Sequence, residues 1–181
     1  VPVCAMTQVA PVFDDELSRS LVAEVVGLKP EDILGQPQVV STGLPFCITV
    51  IDSVEALGRA RLNIDALARF RAQVSHADAD VMEPFLVTLQ GATVAGDTFA
   101  RLLLAPPSPP EDPFTGSATG AMAAYLWHHG LIDSPVFTAE QGHWMGRPGQ
   151  AQVEVLGPRD APKGVRVAGP AKVLMRGEIA L

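Results

Sequence analysis

Short runs of apolar residues, separated by turn-forming residues, recur along most of this chain. Within several runs the apolar positions alternate, as at Val153 and Val155 and again at Val165 and Val167. This period of two is typical of half-buried β-strands. The pattern predicts strands at Val1–Met6, Gln38–Ser41, Phe46–Ile51, Phe85–Leu89, Thr98–Leu104, Val136–Ala139, Gln150–Leu156, Gly164–Ala168 and Ala171–Leu181, the last with a break at Gly177.

A helical period occurs between some of these strands. A helix is predicted over Asp14–Val26, with Asp14 as its N-cap. Asn63 is predicted to cap another helix, in which Ile64, Leu67 and Phe70 share the core-facing side. A turn at Pro11–Phe13 and short helical segments at Lys29–Leu34 and Ser53–Ala60 complete these elements.

The segment from Thr115 to about His129 predicts a different kind of helix. It is rich in alanine and apolar on most faces, with Ala118, Ala121, Met122, Ala123, Ala124 and Leu126. A helix that is apolar all round is buried, so we expect strands to wrap around it. His128 and His129 lie in its last turn, where a basic side chain is favoured by the helix dipole.

Composition and charge narrow the function classes. The chain has 181 residues, of which 48% are hydrophobic and 18% charged, and its formal net charge is −7. This composition predicts a globular domain with its own core. No basic cluster and no apolar run of membrane-spanning length is present, so neither a nucleic acid nor a membrane is expected as a partner. Cys4 and Cys47 are expected to be reduced core thiols of a cytoplasmic protein.

The candidate chemistry lies where the apolar helix begins. Prolines lead into Glu111 and Asp112, and Pro113 fixes the entry of the chain into the helix. Thr115 or Ser117 can serve as the N-cap. The small residues that follow leave backbone N–H groups accessible at the positive end of the helix dipole, which is a site for a carboxylate or phosphate. A carboxylate and a hydroxyl beside such a site suit proton transfer, whereas simple capping explains the same residues without a ligand.

Two other groups of residues have metal-ligating side chains. His76–Asp80 alternates histidine and aspartate, but no second cluster is evident in the sequence and the run is typical of a solvated loop. His128 and His129 are adjacent, and neighbouring helix residues point about 100° apart, which is poor geometry for one metal ion. We therefore expect no metal site.

The run EDPFTGSATGA at Glu111–Ala121 resembles the signature of the phenazine-biosynthesis PhzF-like family, which has the diaminopimelate-epimerase fold. Four further segments are similar to family landmarks, so the resemblance covers essentially the whole chain. These segments are Thr7–Phe13, Ser41–Phe46, Glu140–Gly142 and Arg147–Gly149.

The resemblance implies an α+β lobe, in which a curved and mostly antiparallel sheet wraps a central buried helix over about residues 115–129. Family members have two such halves facing one cleft, and they isomerise a small carboxylate by proton transfer without a metal or organic cofactor. Asp112 matches the acid of the second half. Ser117 matches the hydroxyl at the helix start, and Thr115, Gly116 and Ser117 match the substrate-binding turn.

The same resemblance places residues 1–181 in the second half of a family member. The first-half helix motif and the segment that carries the family's catalytic Glu are absent from this sequence. We therefore expect the isolated chain to be inactive, and to pair either with a first half or with itself as a homodimer. The alternative hypotheses are a non-catalytic module that binds carboxylates or oligomerises, and a structural domain without a ligand.

Overall fold

The computed structural model describes residues 2–76 and 79–178. The helices are α1 (Arg19–Val26), α2 (Val54–Arg59), α3 (Ile64–Gln73) and α4 (Gly116–His128). The strands are β1 (Val3–Gln8), β2 (Val12–Glu16), β3 (Ile33–Ser41), β4 (Pro45–Ile51), β5 (Ser75–His76), β6 (Ala79–Asp80), β7 (Met82–Thr88), β8 (Thr98–Leu103), β9 (Glu111–Asp112), β10 (Val136–Gln141), β11 (Gly149–Leu156) and β12 (Gly164–Pro170).

All strands except the β5–β6 hairpin join one sheet, in the order β1-β12-β11-β10-β8-β7-β4-β3-β2, with the short β9 beside β8. Neighbouring strands are antiparallel except for β4 with β7 and β8 with β10. The sheet curls so strongly that Gln8, on the edge strand β1, hydrogen-bonds to Thr42, which follows β3 near the other edge. The two ends of the sheet therefore meet around α4.

The inner core is α4 and the concave face of the sheet. Every residue from Ala118 to Leu126 is buried, which confirms the prediction that this helix is buried. Its many alanines allow the strands to approach the helix closely. The side chains that surround it include Val40, Phe46, Phe85, Val153 and Val165.

A second core lies on the convex face, where α1, α2 and α3 cover the strands β3, β4, β7 and β8. Val22, Leu57 and Phe70 from these helices pack with Leu86 and Phe99 from the sheet. Asn63 caps α3 as predicted, because its Oδ1 accepts a hydrogen bond of 3.2 Å from the N–H of Ala66. Ile64, placed on the core side by the sequence pattern, is instead 49% exposed.

The predicted helix over Asp14–Val26 is wrong in its first part. Residues 12–16 form β2, which pairs with β3, and the helix begins only at Arg19. Its N-cap is Ser18, whose Oγ accepts from the N–H of Leu21 at 3.2 Å. Phe13 packs against the inner core and stacks on His128 with ring centroids 4.3 Å apart. This tertiary contact outweighs the local capping signal of Asp14.

The strand predicted at Ala171–Leu181 is wrong over residues 171–178, which have no regular secondary structure, and its last three residues lie outside the described part of the chain. Both edges of β12 are already paired, with β1 on one side and β11 on the other. Val173, Leu174 and Met175 are consequently exposed.

Cys4 is also exposed, contrary to the expectation of a core thiol, whereas Cys47 is buried as expected. Among the described residues, none of the helices is long and apolar enough to span a membrane.

Candidate functional site

The start of α4 is held at the open end of the curled sheet by the short strand β9. Asp112 pairs with Leu102 of β8, and the chain turns at Pro113 to reach Thr115 at the N-cap position. The Thr115 side chain does not cap the helix. Its hydroxyl instead donates to Oδ2 of Asp112 at 2.5 Å. Thr115 is thus the N-cap residue, one of the two that the sequence offered, but without a side-chain capping bond. A carboxylate and a hydroxyl are instead joined beside the helix start.

Backbone donors of this first turn lack partners in the described part of the chain, and those of Gly116 and Ser117 belong to partly exposed residues, whereas Ala118 is buried. The N–H groups of Gly116, Ser117 and Ala118 have no hydrogen-bond partner among the described residues, and the Ser117 hydroxyl has none there either. Gly116 has open space beside it, because a Cβ added there would meet no atom within 4 Å. Unpaired N–H groups at the positive end of a helix attract an anion. The turn is thus accessible to a small carboxylate.

Gln8 fixes this turn from the side of β1. It is 8% exposed, and its Nε2 donates to the carbonyl oxygen of Gly116 at 2.8 Å. Its Oε1 accepts a hydrogen bond from the Thr42 hydroxyl. A Cβ at Gly120 would overlap the Gln8 amide, so the absence of a side chain at Gly120 makes room for it. The helix start is therefore bound to both ends of the sheet.

Gln141 fixes the same turn from the end of β10. Its Oε1 accepts from the N–H of Thr115 at 3.0 Å. Its Nε2 donates to the carbonyl oxygen of Asp112 at 2.8 Å and to Oγ1 of Thr115 at 3.2 Å. The side chain is 1% exposed. One buried amide thus holds Asp112 and Thr115 in a fixed relative position.

Sequence reasoning singled out Asp112, Thr115, Gly116 and Ser117, and the structure brings all four together at the start of α4. It did not identify the supporting residues Gln8, Thr42 and Gln141. These lie in three distant parts of the chain, and an isolated glutamine or threonine carries no local chemical signal. The landmarks Thr7–Phe13, Ser41–Phe46 and Glu140–Gly142 were the available indication, since each contains one of them.

The two candidate metal segments have different outcomes. The side chains of His76–Asp80 lie outside the described residues, so the metal interpretation of this run stays a prediction; only the backbone of β5 and β6 is described there. His128 Nδ1 is 2.8 Å from the carbonyl oxygen of Arg159, and His129 Nε2 is 2.9 Å from Oε1 of Gln38. Both histidines therefore bind protein groups that join the end of α4 to its surroundings.

A curved sheet wrapped around one buried helix, with the start of that helix open at one end, defines an α+β lobe of the epimerase-like class. The chain belongs to the PhzC-PhzF family, described as "Phenazine biosynthesis-like protein", whose family model matches residues 2–177.

Two relatives show how far the similarity extends. An uncharacterized isomerase of Clostridium acetobutylicum is 31% identical over 178 residues, which cover 94% of this chain and 56% of that protein. The uncharacterized isomerase YddE of Salmonella typhimurium is 29% identical, over 97% of this chain and 60% of its own length. The chain thus spans less than two thirds of the curated relatives it matches.

Solved structures agree with the family assignment. A predicted epimerase of Pseudomonas aeruginosa superimposes with a TM-score of 0.73 at 32% identity, over 99% of this chain and 59% of that one. A phenazine biosynthesis protein of the PhzF family from Bacillus anthracis superimposes with a TM-score of 0.76 at 22% identity, over 92% of this chain and 57% of that one, which shows the shared fold.

Proposed function

We propose that this chain is the carboxylate-binding half of an isomerase or epimerase that moves a proton on a small carboxylate substrate without a cofactor. The observation that carries the proposal is the first turn of α4, where the unpaired N–H groups of the partly exposed Gly116 and Ser117 lie beside the hydrogen-bonded Asp112 and Thr115. Homologues named as isomerases or epimerases support the reaction class.

In this mechanism the N–H groups of Gly116 and Ser117 bind the substrate carboxylate at the positive end of α4. Negative charge that develops on the carbon acid during proton removal is stabilised by the same donors. Asp112 is the acid or base that exchanges a proton with the substrate, and the Ser117 hydroxyl supplies a further donor. Gln8 and Gln141 keep these groups fixed, so little reorganisation is needed during the reaction.

Proton transfer between two faces of a carbon needs a second acid–base group opposite Asp112. We propose that this group comes from another lobe, either a first half or a second copy of the chain. The isolated chain is then inactive.

Both cysteines are free thiols, consistent with a protein of the reducing cytoplasm, which we propose as its location.

An exposed apolar surface supports the proposal that this chain associates with another lobe. Val3 and Met6 on the edge strand β1 are 69% and 53% exposed, and Leu174 in the following C-terminal segment is 93% exposed. The two segments are close, because the N–H of Ala171 donates to the carbonyl oxygen of Pro2 at 2.9 Å. An apolar strand edge of this kind pairs readily with another chain. The same surface favours the alternative function, a non-catalytic carboxylate-binding or oligomerising module.

The experiment that separates these functions uses protein purified from its own source. Native mass spectrometry identifies the assembly, and the same sample is incubated in D2O with a pool of small carboxylic acids that bear an acidic C–H. We expect substrate-dependent deuterium uptake by an assembly that contains a second lobe. Asp112→Asn should reduce this uptake by about 100-fold or more, the usual contribution of general acid–base catalysis.

The isolated 181-residue chain serves as the matched control and is expected to show no exchange. Exchange by the isolated chain, or exchange by the assembly that survives Asp112→Asn, contradicts the mechanism. An assembly that binds carboxylates but exchanges none supports the non-catalytic alternative.

A further inference from the structure

A pocket of about 620 Å³ lies on the convex side of the sheet, between the end of α2 and the segment that joins β8 to β9. Leu103, which lines the pocket, belongs to the second core, on the convex face with α1, α2 and α3. The pocket is therefore distinct from the first turn of α4, which faces the concave side. Its apolar lining consists of Leu62, Ile64, Leu103, Leu104, Pro106 and Pro110.

The charged side chains that line the pocket leave a net positive charge. Arg101 donates from Nε and Nη2 to the two carboxylate oxygens of Glu111, at 3.0 and 2.8 Å. The side chains of this pair are only 10% and 12% exposed. Arg61 also lines the pocket, and its Nη1 donates to the carbonyl oxygens of Gly58 and Ala60. Its Nε and Nη2 have no partner within the described part of the chain, so the pocket retains one positive charge.

Trp144 gives the pocket a flat aromatic wall. Its ring is fixed edge-on against Phe99, with centroids 4.7 Å apart, and the Arg101 guanidinium carbon lies 5.4 Å from its centroid. The residue nevertheless remains 49% exposed. A rigid ring with a free surface contacts a flat apolar ligand at little cost in side-chain entropy.

We propose that this pocket binds a flat, apolar monocarboxylate, with its carboxylate on Arg61 and its apolar body against Trp144. The volume and the mostly apolar lining are those of a small-molecule site. A single guanidinium without a carboxylate partner favours a ligand with one negative charge. Such a ligand also contacts Glu111, which is next to Asp112 in β9 and faces the opposite way. Ligand binding in the pocket is therefore coupled, through β9, to the start of α4.

Isothermal calorimetry with 1-naphthoate tests the proposal, and its uncharged amide, 1-naphthamide, is the matched probe. We expect saturable binding of naphthoate and about tenfold weaker binding of the amide, the loss expected when one charge-assisted hydrogen bond is removed. Arg61→Gln should weaken naphthoate to the level of the amide. Arg69→Gln, a charge-matched change on an exposed part of α3, should leave binding unchanged.

Further variants identify the site that is occupied. Trp144→Phe keeps an aromatic wall, so calorimetric binding should persist while the naphthoate-dependent quenching of tryptophan emission is lost. Gly116→Pro removes a donor from the first turn of α4 and should not change naphthoate affinity. Loss of binding in Gly116→Pro with retention in Arg61→Gln would place the ligand at α4 and overturn the proposal. The proposal would also be overturned if naphthoate did not bind saturably, or if the acid and the amide bound with equal affinity. It would likewise be overturned if self-association of the chain released bound naphthoate.

Discussion

Gly120 lies inside α4, where alanine ordinarily stabilises a helix by about 1 kcal/mol relative to glycine. Here the Gln8 amide occupies the space that a Cβ would need. We therefore expect Gly120→Ala to destabilise the protein by about 1–3 kcal/mol, the usual cost of overpacking. Urea unfolding measures the change. Gly116→Ala, where the added Cβ meets no atom within 4 Å, is the control and should not be destabilised.

A double-mutant cycle with Gln8→Ala sharpens this test. Removing the Gln8 side chain frees the space, so Gly120→Ala should cost much less in the Gln8→Ala background than in the native protein. Equal costs in the two backgrounds would show that the Gln8 contact does not explain the glycine.

Glu140 is a buried carboxylate, 1% exposed, on the convex face of β10. Burial raises its pKa, but hydrogen bonds from Thr93 and Gln150 outweigh burial and hold the pKa below its ordinary value of 4.5. A depressed folded-state pKa means that the unfolded chain binds the proton more readily. The stability from Glu140 is therefore present above pH 4.5 and is lost as the pH falls through the folded-state pKa.

Glu140→Gln isolates this contribution. At pH 7 we expect the variant to be less stable by about 1–3 kcal/mol, since a buried acceptor of several hydrogen bonds is weakened. The difference between the variant and the native protein should shrink as the pH falls below 4.5, because the unfolded native chain then binds a proton more readily than the folded carboxylate does. Urea unfolding of both proteins across this range measures it, and a difference independent of pH would contradict the prediction.

At the scale of elements, the Arg101–Glu111 pair ties α2 to the strand that carries Asp112. Arg101 also donates from Nη1 to the carbonyl oxygen of Leu57 at 2.8 Å. Arg101→Met leaves Glu111 unpaired and nearly buried, which should destabilise the protein by about 3 kcal/mol. The exposed Arg69–Glu24 pair is the control, and Arg69→Met should change stability by about 1 kcal/mol or less. Equal losses of stability in Arg101→Met and Arg69→Met would show that burial of the Arg101–Glu111 pair does not affect its contribution.

The sequence-based prediction succeeded for elements whose signals are local. The central helix was recognised from its alanine content and from Pro113, and Asn63 was recognised as a cap. It failed where long-range pairing decides the structure. Residues 12–16 are a strand because β3 offers an edge, and residues 171–178 are not a strand because β12 has no free edge. The roles of Gln8 and Gln141 likewise follow only from the topology, which brings β1 and β10 to one helix end.

At the scale of the whole molecule, the exposed apolar residues of β1 and the C-terminal segment predict association. Sedimentation velocity should show self-association of the chain at high concentration. Met6→Lys together with Leu174→Lys should raise the concentration needed by about tenfold or more, because charges on an edge strand oppose pairing. Val94→Lys, at another fully exposed apolar position, is the control and should have no effect. A native protein that stays monomeric throughout would contradict the proposed interface.

The proposed function depends on the binding of a carboxylate by the backbone N–H groups in the first turn of α4. The most direct measurement is a ¹⁵N NMR titration of the Gly116 and Ser117 amides with acetate, with acetamide as the neutral control. Gly116→Pro removes one N–H at the first helical position, which tolerates proline, whereas Gly116→Ala keeps it. We expect saturable acetate shifts at this turn in the native and Gly116→Ala proteins, and weaker binding in Gly116→Pro. Equal shifts with acetamide, or no saturable shift at these amides, would contradict the proposed function.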